Sequence, residues 1–115
     1  MLSSIRVLDL TDPQCRLAGH LLAQHGADVV LVETPEPSAR PASESGSPLD
    51  RAGRTAFARG VRSVALDRDD PDDAHRLRDL LRHADVLLES FTPGERAAVG
   101  LSPEETAALN PRLVH

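Results

Sequence analysis

Short apolar runs alternate along the chain with longer stretches in which apolar residues recur every three or four positions. Ile5 to Leu10 (IRVLDL) is a compact apolar run and reads as a first strand. In the segment that follows, Asp12 is placed to cap a helix and Pro13 suits its first position. Leu17, Ala18, Leu21 and Leu22 repeat at helical spacing, and Gly26 suits the stop. Asp28 to Glu33 (DVVLVE) encloses a continuous apolar run, Val29 to Val32, the pattern of a strand covered on both faces. The pattern lapses from Thr34 to Ala56, a flexible loop rich in Pro, Ser and Gly. It resumes with a strand from Arg62 to Asp67 and a helix from Asp70 to Ala84, whose Leu77, Leu80, Leu81 and Ala84 form one stripe. Asp85 to Ser90 (DVLLES) is a fourth strand. TPGERAAVG reads as a turn and short helix, SPEETAALN as a helix with a Ser102–Glu105 capping box, and PRLVH as the beginning of a fifth strand.

Strand-helix-strand therefore occurs twice, joined by one loop. This predicts a single α/β domain over residues 1–115: a Rossmann-like open, mainly parallel sheet flanked by helices. A chain whose last residues enter a strand pattern is expected to be the N-terminal part of a larger domain.

Composition narrows the picture. With 115 residues, 40% hydrophobic and 27% charged, the chain is ordinary for one small globular domain. Its aromatics are Phe57 and Phe91 alone, so the core must be built from Leu, Val, Ala and Ile, and there is no platform for stacking bases. A net charge of -5 also opposes nucleic-acid binding. All 13 basic residues are arginines, which excludes any role for a lysine amine. The single cysteine, Cys15, excludes an intrachain disulfide. The N-terminus lacks a secretory pattern, and no apolar run approaches the ~20 residues that span a bilayer, so a cytoplasmic protein without membrane contact is expected.

In an open parallel sheet, ligands meet the loops after the strand C-termini. On that edge the sequence places Asp12, Gln14, Glu33, Asp67, Glu89, Ser90 and Phe91. The first of these loops, TDPQCR, has no glycine, which argues against an ordinary NAD or FAD site, and no Walker sequence occurs. Glu33 reads either as a ligand contact or as the partner of a backbone amide or an arginine. Cys15 reads either as a thiolate nucleophile near a helix start or as a small apolar residue in the first turn. His20 and His25, and His75 and His83, lack the spacing of a helical metal clip, and the Asp67–Asp73 acidic cluster reads as helix capping, so no metal is expected.

IRVLDLT, LLAQHGADVVLVETP, RSVALD, ADVLLESFTPG and VGLSPEETAALNPRLV, in that order and spacing, resemble the N-terminal portion of the family III CoA-transferases, a group that includes the α-methylacyl-CoA racemases. The resemblance implies a Rossmann-like large domain plus a small domain, in two interlocked chains. It also implies transfer of CoA between carboxylic acids through an Asp-linked intermediate, or α-carbon inversion by a His and Asp pair. In the family both sets of catalytic residues lie beyond the match, so no catalytic residue is assigned in this chain. Coenzyme A or an acyl-CoA is the implied substrate. A homodimer or a partner chain completing the domain is the implied assembly.

Carried over position by position, the CoA-side contacts fall on Gln14, Cys15, Arg59, Arg62, Ser90, Phe91 and Thr92. The chain departs from the family pattern at several of these. Cys15 and Arg16 replace small residues after Gln14, and Thr34 stands where an arginine often follows Glu33. Ala58 and Val61 replace the Asn and Lys of an Asn-x-x-Lys-x-Ser stretch, and Ser90 replaces an Asn before Phe91. Where the family often has an arginine in the next helix the chain has Ala98, with Arg96 two residues earlier. Two alternatives stand beside the enzyme reading: a non-catalytic Rossmann-like interaction module derived from the family, and an unrelated α/β regulatory domain.

Overall fold

A computed structural model of the chain describes residues 1–35 and 59–115. Four strands form one sheet: β1 (Arg6–Leu10), β2 (Asp28–Glu33), β3 (Val61–Ala65) and β4 (Val86–Glu89). The order is β3-β2-β1-β4, and every pairing is parallel. The α/β class and parallel sheet read from the sequence are therefore present. The fifth strand appears in the form its pattern suggested: Val114 makes a single parallel bridge to Val86, with the Leu87 amide donating to the Val114 carbonyl at 2.8 Å. The loop expected from Thr34 to Ala56 lies almost wholly outside the described residues.

The helices among the described residues are α1 (Leu17–Gln24), α2 (Pro71–His83), α3 (Pro93–Ala98) and α4 (Pro103–Leu109). Three of them carry strong start signals. The Asp70 side chain accepts the Asp72 amide at α2, and Thr92–Glu95 and Ser102–Glu105 form capping boxes at α3 and α4, each with proline in the first turn. The first helix starts later than its sequence suggests. Pro13–Cys15 is a 3-10 turn, the Asp12 side chain caps nothing, and α1 begins only at Leu17. The Asp12 amide is held by Ser90 Oγ at 2.8 Å, so the chain is tethered to the sheet edge before it can turn into the helix. Gly26, at φ 94°, ends the turn after α1 in a conformation that favours glycine.

Alternate strand residues point to opposite faces. On one face Leu8, Leu10 and Leu87 meet Leu66, Leu77, Leu81, Ala84 and Leu101, with Val99, Leu109 and Leu113 packed around them. On the other face Val7, Ala27 and Val29 pack with Leu22 and Ala23 of α1. The continuous apolar run of β2 thus serves both faces, Val29 on one and Val30 and Val32 on the other. No helix among the described residues is long and apolar enough to cross a membrane.

Candidate functional site

Because all strands run the same way, their C-terminal ends and the following loops share one edge. A cavity of about 500 Å³ opens there. It is lined by Thr11 to Pro13 and Arg16 after β1, Glu33 and Thr34 after β2, Asp67 and Arg68 after β3, and Phe91 after β4. The strand order turns outward on either side of β1, which is where ligands enter sheets of this type.

The exit from β1 is fixed by a buried carboxylate. Asp9 is 2% exposed, and its Oδ1 accepts the Thr11 amide at 2.9 Å and the Thr11 hydroxyl at 2.6 Å. Its Oδ2 lies against Gly19 of α1, where an added Cβ would approach to 2.1 Å. Glycine is needed there because the carboxylate occupies the space of a side chain.

Glu33 has the arginine partner allowed by one of its two readings: Arg16 Nη2 lies 3.3 Å from Glu33 Oε1. It also lines the cavity. On the other side of β1, Glu89 is a junction. It accepts the Phe91 amide at 2.6 Å and Arg96 Nε at 2.6 Å, and His115 Nε2 lies 3.2 Å away. Burial pushes the Glu89 carboxyl up, but the Phe91, Arg96 and His115 hydrogen bonds together outweigh it and hold the pKa below the ordinary 4.5. At the exposed Glu95 carboxyl, the Thr92 amide and hydroxyl pull the pKa down in the same way. Arg68 lies over the Phe91 ring, 5.1 Å from its centroid, so the aromatic wall of the cavity carries a cation.

The residues expected from the sequence fall into two groups. Gln14, Cys15, Ser90, Phe91 and Thr92 lie together on the carboxyl edge, on the loops after β1 and β4. Phe91 lines the cavity, while Gln14 and Cys15 are exposed in the 3-10 turn beside it. Ser90 Oγ accepts the Asp12 amide, and Thr92 caps α3, so both hydroxyls also have structural roles. Arg59 and Arg62 are not brought to this edge. Arg59 precedes β3, and Arg62 is its second residue, opposite Val30. At ~3.3 Å per residue, Arg62 is about 10 Å from the carboxyl end of its strand. Its guanidinium forks onto Asp28, with Nη2 at 2.6 Å from both carboxylate oxygens. The acidic stretch serves as capping: Asp73 Oδ2 accepts the Asp67 amide, and Asp67 Oδ1 accepts that of Asp69. No cluster of three metal-ligating side chains occurs among the described residues.

Arg16 and Arg68 were missed as cavity residues by sequence reasoning. The available signal was positional, since each is a basic residue in the loop after a strand. The Asp9–Thr11 bracket and the Asp12–Ser90 link carry no comparable signal, because each depends on a side-chain direction.

Comparison with known proteins decides the family. The family model described as CoA-transferase family III matches residues 2–115. The chain belongs to CoA-transferase family III. It is 38% identical over 123 residues to the succinate–glutarate CoA-transferase of Agrobacterium fabrum, covering 99% of this chain and 31% of that protein. It is 37% identical over 127 residues to the succinyl-CoA–D-citramalate CoA-transferase of Chloroflexus aurantiacus, covering 98% of this chain and 29% of that protein. Among solved structures it superposes on a CAIB/BAIF family protein from Brucella suis with a TM-score of 0.84 at 30% identity, over 97% of this chain and 31% of that one. The chain thus spans less than a third of the length of these relatives, the part that forms this sheet.

Proposed function

We propose that this chain is the coenzyme A side of a family III CoA-transferase, and that a CoA thioester sits in the cavity at the carboxyl edge of the sheet. The carrying observation is the position of that cavity, at the outward turn of strand order in a chain matched to the family over residues 2–115. In this reading Phe91 and the loops bearing Gln14, Cys15, Ser90 and Thr92 flank the ligand. For Arg59 and Arg62 to take part, the ligand has to run along β3 to the opposite edge. Transfer of CoA between carboxylic acids through an aspartyl intermediate, or inversion of an acyl α-carbon, would use residues outside this chain. A second copy or a partner chain would complete the domain, in the cytoplasm. Isothermal titration of the chain with CoA tests the reading. Saturable heat is expected, and no heat and no amide shift changes around Thr11–Arg16 at millimolar CoA would overturn it.

A second reading, a non-catalytic interaction module, draws support from Arg62. Its guanidinium is already forked onto Asp28, and a group so satisfied offers little to a phosphate. Light scattering after size exclusion separates the two: a dimer indifferent to CoA favours the module, and a CoA-binding monomer excludes it.

A further inference from the structure

The cavity holds two arginines in different circumstances. Arg68 is exposed and rests on Phe91. Arg16 is largely enclosed, with 16% of its side chain exposed. Its Nη2 reaches Glu33 at 3.3 Å, longer than the ~2.7–2.9 Å of a strong charge-assisted bond. Its Nε is buried and finds no partner among the described residues. The contrast with Arg62, forked onto Asp28 at 2.6 Å, is direct. A guanidinium offers five donors, and one left buried and unmade is costly unless something supplies an acceptor.

Its surroundings set the sign of that acceptor. Arg16 immediately precedes α1, which has no capping side chain and no acidic residue in its first turn. The other three described helices have both. The positive end of the α1 dipole therefore adds to the Arg16 charge, and the carboxylates near that end are Glu33, paired with Arg16, and Asp9, set against Gly19.

We infer that Arg16 anchors a phosphate group of the ligand in this cavity, and that Glu33 is the carboxylate that holds the guanidinium until a phosphate oxygen displaces it. The inference rests on the CoA reading above and adds a specificity-determining residue to it. It assigns the anchoring charge to a position where the resemblance to the family leads one to expect a small residue.

The test is titration of wild type, Arg16→Ala, Arg16→Lys and Glu33→Gln with CoA, and with pantetheine, which lacks the phosphates. Thermal melts of each variant accompany the titrations. Loss of a hydrogen-bonded charge predicts CoA affinity about tenfold to a hundredfold weaker in Arg16→Ala. Pantetheine affinity should stay within about twofold, because no phosphate is present to feel the change. Arg16→Lys should recover part of the loss, and Glu33→Gln should tighten CoA binding by removing the competitor. Wild-type binding with equal or tighter binding in Arg16→Ala overturns the inference and leaves the CoA reading standing. Equal losses for CoA and pantetheine, with a lowered melting point, show a purely structural arginine and overturn it too. Absence of CoA binding by the wild type overturns the reading itself.

Discussion

On the α2 face eight apolar side chains of the described residues are buried in one cluster, Leu77 and Leu81 of α2 itself among them. Under α1 the buried apolar set is Val7, Ala27 and Val29, and the Asp9 carboxylate lies beside it against a glycine. The helices differ in the same sense. α2 is capped, acidic at its start and basic at its end, and it sinks Leu77 and Leu81. α1 is uncapped, and Leu17 and Leu21 remain 50% exposed. One face is organised for cohesion. The other gives up apolar burial to place a charged group where it fixes the loop that lines the cavity. Folding free energy should therefore be concentrated under α2, and control of the site under α1.

The contrast breaks most readily at Leu81, 1% exposed in the α2 cluster. Leu81→Ala should cost about 2–5 kcal/mol in denaturant unfolding. A loss below ~1 kcal/mol would remove the proposed asymmetry. Gly19→Ala should cost about 1–3 kcal/mol, because the new methyl collides with Asp9 Oδ2. In an open helix the same change would stabilise by roughly 1 kcal/mol, so the sign alone is informative. Combining it with Asp9→Ala should recover part of the loss in a double-mutant cycle. Asp70→Ala removes the α2 cap and should cost about 1 kcal/mol by thermal melting, with no counterpart at Asp12, whose side chain caps nothing.

A smaller effect is expected on acidification. Glu89 has a pKa below its ordinary 4.5 in the folded protein, so its contribution is fully present above that value and is lost as pH falls through the folded pKa. Glu89→Gln should flatten the stability profile in that acid window, measured by unfolding at a series of pH values. Least of all, Leu21→Ala on the exposed side of α1 should change stability by no more than about 0.5 kcal/mol.

What the sequence made legible follows from how local the forces are. The α2 helix was readable because Asp70, Pro71, the acidic first turn and the leucine stripe all act within a few residues of one another. The same holds for the Ser102–Glu105 box, which the structure contains. Apolar runs located all four strands to within a residue or two. Locality failed at α1, where Asp12 has a capping identity but its backbone is held by Ser90, 78 positions away. Arg62 shows a second limit of local reading. A motif alignment placed that residue with the ligand contacts, but strand polarity puts it toward the opposite edge, and Asp28 of the neighbouring strand occupies its guanidinium. Arg16 was visible as a departure from a pattern. Its pairing with Glu33 required β1 and β2 to be set side by side.

The Asp12–Ser90 bond joins the two loops that diverge from the centre of the sheet. A molecule that wedges beside β1 and moves its loop is expected to lengthen this bond and so to be felt on the β4 side without touching it. The amide proton of Asp12 is then a single spectroscopic reporter for both halves of the fold.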